Sequence, residues 1–180
     1  MLPLTIEKTE RYDEDQRKFF TYKGDKTLKL EHSLLAISNW EAKYEKRFIG
    51  NEDISNEEML DYIRMMVTNE NVDPDFVYYL SKADVESIKD YMNKTHTATI
   101  VNSSGGSTSY QFITSELIYS WMAGLQIPFS CETWNINRLL KLIEVSNENN
   151  KPKKKMSHSE AMARQRAANA KARAKHHSKG

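Results

Sequence analysis

The longest stretch of apolar residues at helical spacing in this chain covers residues 113–145. Its apolar residues recur every three or four positions, as expected for helices buried over a wide face. A proline interrupts the pattern, because the residue before a proline is driven out of the helical region. The stretch therefore predicts two helices, joined by a tight apolar corner at Ile127-Pro128-Phe129 and packed as an antiparallel or steeply crossed hairpin.

Polar residues near the start of each predicted helix are suited to cap it. Thr114 or Ser115 can accept hydrogen bonds from the first free N–H groups of the first helix, and Ser130 or Thr133 from those of the second. The second helix would then carry Trp134. We expect the remaining helices of the chain to dock on this pair.

Five aromatic residues lie at helical spacing or at the corner: Trp40, Tyr44, Trp121, Phe129 and Trp134. Aromatic residues at helical spacing usually face inward, so the core is the first interpretation and a partner-binding groove is the second. For Phe129 the two interpretations are equal, because a tight turn cannot bury every side chain. Trp121, Ile127, Pro128 and Phe129 are therefore candidate partner-binding residues.

The first thirty residues favour short β-strands. Residues 2–6 are typical of an extended segment that Pro3 confines to a sheet edge, and residues 7–18 are typical of a loop. Residues 19–22 and 27–30 flank a glycine-containing turn, which predicts a β-hairpin between these two runs. The hairpin would lie on the helices or pair with the first extended segment.

Helical spacing begins at Leu30. The pattern predicts a helix over residues 30–48, ended by Gly50. Further helix starts are marked by three capping signals: Ser55 with Glu58, Asp73 before Pro74, and Ser81. Residues 94–111 contain a Ser/Gly-rich run and predict a flexible loop.

These elements define a mainly α protein. We expect residues 1–150 to form a compact helical domain of about five helices, with a small β-hairpin in residues 1–30, followed by a basic, helix-prone C-terminal arm in residues 151–180. The arm holds ten Lys or Arg and one acid, whereas residues 1–150 hold sixteen bases and twenty-four acids. Such an arm is either a solubilising extension or, as we favour here, a segment that binds nucleic acid or an acidic protein of a larger assembly.

The sequence offers no catalytic constellation. The glycine-rich run at 102–108 lacks the lysine and glycine spacing of a phosphate loop, and the five histidines lack metal-ligand spacing. Cys131 is the sole cysteine, and no secretion signal or apolar run long enough to span a bilayer is evident. The sequence therefore predicts a soluble intracellular protein that is no enzyme and needs no cofactor or metal.

Four segments resemble the tail assembly chaperones of tailed bacteriophages, in the same order along the chain. They are LEHSLLAISNWEAKYEKRF, SNEEMLDYIRMM, TSELIYSWMAGLQIPFSCETWNINRLLKLI and KKMSHSEAMARQRAANAKARAKHHSKG. The resemblance implies a protein of the host cytoplasm that coats the tape-measure protein until tail-tube subunits polymerise around it. It implies no catalytic residues. Residues 102–108 depart from the family pattern.

The expected partners are the tape-measure protein, the tail tube protein and a second copy of the chain. The competing interpretation is a virion structural protein, associated with the neck or capsid, whose arm contacts DNA. In either case the candidate contacts in the arm are the same: Lys153, Lys154, Lys155, Arg164, Arg166, Lys171 and Arg173.

Overall fold

The computed structural model describes residues 1–6, 9–14, 17–22, 27–100, 113–150 and 158–176. The chain forms two compact units, Met1–Glu148 and Asn149–Gly180. The fold is mainly helical with a small N-terminal β-hairpin, as the sequence predicts. In the described part of the first unit there are five α-helices.

Four short strands form two separate two-stranded antiparallel sheets. Strand β1 (Leu2–Thr5) pairs with β4 (Thr27–Leu30), and β2 (Thr9–Asp13) pairs with β3 (Lys18–Tyr22). The predicted hairpin between 19–22 and 27–30 is therefore wrong in its pairing, and part of the predicted 7–18 loop is strand. The alternative pairing of the 27–30 run with the first extended segment is confirmed.

Burial explains this pairing. Leu4 of β1 and Leu28 and Leu30 of β4 are buried, so pairing these two strands places three leucines in the core. The β2–β3 hairpin instead exposes Phe19, which packs against Tyr12 across the strands with ring centroids 4.9 Å apart. The pairing of β1 with β4 removes more apolar area from water, and this burial stabilises it more than a short connection through a glycine turn would stabilise the predicted hairpin.

Helix α1 (Leu34–Tyr44) lies at the centre of the first unit. Ser33 caps its start, and Glu45 ends it in a left-handed conformation at φ 53°. The predicted span of 30–48 was too long, because Leu30 belongs to β4, and the stop is at Glu45 rather than Gly50. Trp40 is fully buried, and its indole N–H donates to the carbonyl oxygen of Glu58 at 2.8 Å.

The next three elements begin where their capping residues predict. Helix α2 (Asn56–Met65) has the capping box of Ser55 and Glu58, with both hydrogen bonds present. A 3₁₀ helix (Pro74–Tyr79) begins at Asp73, whose carboxylate accepts the N–H of Asp75 at 3.0 Å. Helix α3 (Lys82–Asn93) is capped by Ser81.

The predicted 113–145 hairpin is longer and less direct than expected. Helix α4 (Ser115–Gly124), capped by Thr114, is followed by a 3₁₀ helix (Phe129–Thr133) and then by α5 (Ile136–Asn150). Helix α4 packs most extensively on α1 and on this 3₁₀ helix, and it meets α5 in the shared apolar core.

The cap of α5 is also corrected. Its first turn is capped by the side chain of Asn135, which accepts the N–H of Asn137 at 3.0 Å, and not by Ser130 or Thr133. Trp134 therefore precedes the helix and lies half-buried, with the Arg138 guanidinium 4.3 Å from its ring centroid.

One apolar cluster joins β1, β4 and the helices of the first unit. Leu34 and Ile37 of α1, Ile118 of α4, and Leu139 and Ile143 of α5 belong to the same core. This confirms that the other helices of the first unit dock on the two helices of residues 113–145. In the second unit, α6 (His158–His176) is a helix, as predicted for residues 158–175. Residues 94–100 have no regular secondary structure, and the rest of the predicted 94–111 loop lies outside the described residues.

Candidate functional site

At the corner Ile127-Pro128-Phe129, which follows α4, one residue is buried and two are exposed. Gln126 adopts a left-handed conformation at φ 57°, and Ile127 donates its N–H to the carbonyl oxygen of Met122 at 2.9 Å. This turns Ile127 into the core, where its side chain is 8% exposed, while Phe129 is 55% exposed. Pro128 is also exposed. Of the three corner residues, Pro128 and Phe129 are therefore accessible to a partner.

The exposed Phe129 ring is held in place by its neighbours. It packs edge-on against Tyr119 of α4, with ring centroids 5.9 Å apart. The Tyr119 hydroxyl donates to the Glu132 carboxylate at 2.7 Å. Burial and this hydrogen bond raise the pKa of Tyr119 well above its ordinary value, so the hydroxyl stays a donor. The aromatic pair is thus fixed to both α4 and the following 3₁₀ helix.

An exposed apolar residue of α1 lies on the same side. Helix α1 packs on α4 and on the following 3₁₀ helix, its Ser38 lies near the Tyr119 hydroxyl, and Leu35, one turn earlier on α1, is 39% exposed. Residues three apart share a helix face. We call the surface formed by Leu35, Tyr119, Pro128 and Phe129 the Phe129 patch.

Trp121 does not belong to this patch. It is two positions after Tyr119, which places it about 200° further around the axis of an α-helix. It is half-buried against the core. The structure therefore separates Trp121 from the corner residues with which the sequence grouped it.

The described basic candidates of the arm all lie on α6. Arg164, Arg166, Lys171 and Arg173 are exposed, as is every side chain from 159 to 175. Lys153, Lys154 and Lys155 lie outside the described residues.

A buried carboxylate joins elements that are distant in sequence, and the sequence analysis did not identify it. Glu31 accepts hydrogen bonds from the Met1 ammonium at 2.7 Å, from the Tyr91 hydroxyl at 2.7 Å and from the Asn135 amide at 3.2 Å. Burial opposes its ionisation, but these donors outweigh burial and lower the pKa of Glu31. Glu31 thereby connects β4 to α3 and to the start of α5.

The next residue, His32, is buried and neutral. Its Nδ1 lies 2.5 Å from the Tyr62 hydroxyl, and its carbonyl oxygen accepts the N–H of Ile136 at 2.7 Å. Burial lowers the pKa of His32 to about 4, although the neighbouring Glu31 carboxylate acts in the opposite direction. The ring therefore carries no charge at neutral pH.

A second buried carboxylate supports the surface around α4. Glu41 of α1 accepts the N–H of Phe48 at 2.9 Å and the N–H of Ser115 at 2.7 Å. It thus orders the chain after α1 and fixes the first residue of α4. Its sequence signal is that Glu41 directly follows Trp40 in a helix with apolar spacing, and both side chains are buried.

These buried polar groups have structural roles. Among the described residues, no buried side-chain nitrogen or oxygen lacks a hydrogen-bond partner. In the same part of the chain, no group of three His, Cys, Asp or Glu side chains could hold a metal ion. Cys131 is buried. These clusters connect strands and helices that are distant in the sequence.

Two concave surfaces meet at Asn93. An apolar groove of about 110 Å³ between α2 and α3 is lined by Met59, Ile63, Val85, Ile88, Lys89, Met92 and Asn93. A polar groove of about 270 Å³ is lined by Asn93, Thr95, Thr97, Asn137, Leu140, Lys141 and Glu144. In the polar groove, the Asn137 amide already donates to the carbonyl oxygens of Met92 and Lys94, both at 2.8 Å.

No protein-family model, curated protein or solved structure matches the chain. Within the described residues, no helix is both long enough and apolar enough to cross a bilayer. Three features of the chain bear on its function: the geometry of the Phe129 patch, the charge of α6 and the resemblance of four sequence segments to the tail assembly chaperones.

Proposed function

We propose that the protein is a tail assembly chaperone of a tailed bacteriophage that binds the tape-measure protein through the Phe129 patch. The observation that carries the proposal is Phe129, an aromatic residue that is 55% exposed and yet held by a fixed neighbour. Exposed aromatic residues on rigid elements are typical anchors of protein interfaces. The resemblance of four sequence segments to this family supplies the partner.

The chemistry of the patch suits an amphipathic helix. Such a helix presents apolar side chains at three- and four-residue spacing, which can pack against Leu35, Tyr119 and Phe129 together. Burying one phenylalanine side chain contributes about 1.5 to 3 kcal/mol. Each contact is then weak, but many copies along one long partner helix keep it covered.

The proposal gives the protein a temporary role. It keeps the tape-measure protein soluble in the host cytoplasm, and tail-tube subunits replace it when the tube polymerises. Weak individual contacts favour this replacement, because each copy can be released separately.

The test is co-expression with fragments of the tape-measure protein, followed by affinity capture of the full chain. Phe129→Asp removes the aromatic anchor and adds a charge, so we expect retention of the fragment to fall at least about tenfold. Because the Phe129 side chain is exposed, the variant should melt like the parent. The parent complex should persist at salt concentrations that screen surface charges.

The matched control is Phe19→Asp on β3. Phe19 is 71% exposed and lies outside the patch, so this variant should retain the fragment as the parent does. Equal retention by Phe129→Asp and Phe19→Asp would contradict the proposed surface. Failure of the parent to retain any tape-measure fragment would contradict the proposed function itself.

A further inference from the structure

The basic side chains of α6 form two edges along the helix. At about 100° per residue, Arg164, Lys171 and Lys175 fall on one edge, since they are spaced seven and four residues apart. Arg166 and Arg173, seven apart, fall on the other. The two edges lie roughly 180° apart around the axis. All five side chains are exposed.

The two faces between these edges differ in chemistry. One carries the amides Gln165 and Asn169, four residues apart, with Ala168 and Ala172 beside them. The other consists of small side chains: Ala163, Ala167, Ala170 and Ala174. Neither face has the wide apolar stripe that would bury α6 in a protein core. Helix α6 therefore has small side chains on one face, amides on the opposite face, and positive charge along the two edges between these faces.

A flat acidic surface would contact only one of the two edges. A groove with negative walls on both sides would contact both edges together. The major groove of B-form DNA has this shape, because it is about 12 Å wide, has phosphates along both walls and admits one α-helix. The deep and narrow major groove of A-form RNA does not admit one.

We propose that α6 binds duplex DNA by lying in the major groove, with Arg164, Lys171 and Lys175 on the phosphates of one wall and Arg166 and Arg173 on those of the other. The span from Arg164 to Lys175 is about 16 Å at 1.5 Å per residue, or about five base pairs. Gln165 and Asn169 then face the base edges, where their amides can pair with adenine.

The measurement is binding of the full chain to a 20-base-pair DNA duplex by fluorescence anisotropy across a salt series. The five phosphate contacts of α6 contribute about −4.5 to the slope of log affinity against log salt. Arg166→Ala with Arg173→Ala should reduce the steepness of that slope by about 2, and alanine at Arg164, Lys171 and Lys175 by about 3. Alanine is the best helix former, so α6 itself is preserved.

A matched control replaces the amides between the edges. Gln165→Ala with Asn169→Ala should leave the salt slope unchanged and reduce any preference between duplexes of different sequence. The proposal is overturned if only one edge matters, as a one-sided acidic partner would require. It is also overturned if an RNA duplex binds as tightly as DNA, or if the parent binds neither.

This inference stands apart from the chaperone function. Phe129→Asp should bind DNA like the parent, and the α6 variants should retain the tape-measure fragment. The two proposals therefore fail in different variants. DNA binding without tape-measure retention would favour the neck- or capsid-associated alternative.

Discussion

Helix α1 buries Leu34, Ile37 and Trp40 completely, whereas every side chain of α6 from residue 159 to 175 is exposed. An isolated helix of eleven residues is marginal in water, so α1 depends on the elements packed around it. Helix α6 depends instead on its own alanine-rich composition. We therefore expect substitutions in α1 to lower the free energy of unfolding and to leave ligand binding by α6 unchanged. Substitutions of the basic residues in α6 should weaken binding of a negatively charged ligand and leave the free energy of unfolding nearly unchanged.

The largest expected change in the free energy of unfolding comes from a substitution in the buried helix α1. Trp40→Ala removes an indole that packs on Tyr44 and Phe48 and donates to Glu58. We expect it to lower the free energy of unfolding by about 3 to 5 kcal/mol, measured by urea denaturation. The control is Met162→Ala on α6, where the side chain is 41% exposed and the change should be within about 0.5 kcal/mol. Equal losses would break the contrast between the helices.

A smaller decrease in the free energy of unfolding is expected when the hydrogen bond between Glu41 of α1 and Ser115 of α4 is removed. Glu41→Ala leaves the buried N–H groups of Phe48 and Ser115 without their acceptor, which should cost about 2 to 4 kcal/mol. Glu41→Gln keeps one acceptor oxygen and should lose less. Hydrogen exchange at the Ser115 amide should accelerate in the alanine variant. An unchanged exchange rate would show that another group fixes α4.

The third prediction concerns pH. Since burial lowers the pKa of His32 to about 4, the unfolded chain binds this proton below its ordinary pKa of about 6.5 while the folded chain does not. Stability is therefore full above pH 6.5 and falls as the pH decreases towards 4. Between pH 7 and 4.5 the loss should be roughly 2 kcal/mol, measured by urea denaturation.

His32→Gln provides the control, because glutamine has no proton to gain. Its unfolding free energy should vary less with pH over the same interval, whatever its starting stability. A parent whose stability is constant from pH 7 to 4.5 would contradict the neutral, buried assignment of His32.

Sequence reasoning succeeded where the cause of a structure is local. Ser55, Asp73, Ser81 and Thr114 cap helices because the N–H groups they accept lie two or three residues away. Their helices could be placed from spacing and capping alone.

It failed where the cause is distant in the chain. Strand β4 pairs with β1 because the leucines of both strands enter one core, which a nearby glycine turn does not reveal. Glu41 is buried because it binds Ser115, 74 residues further on. Ile127 and Phe129 are equally apolar, and only the left-handed conformation of Gln126 decides which of them faces the core.

The pairing of β1 with β4 also bears on how this fold tolerates change in length. Thr5 and Thr27 lie directly opposite each other at the end of the paired strands, with their hydroxyl oxygens 3.2 Å apart. The chain therefore leaves the β1–β4 sheet after Thr5 and returns to it at Thr27, with β2 and β3 lying on the excursion between. Because closing a longer loop costs only about 0.6 kcal/mol per doubling, this excursion is a place where insertions and deletions can accumulate without loss of the core.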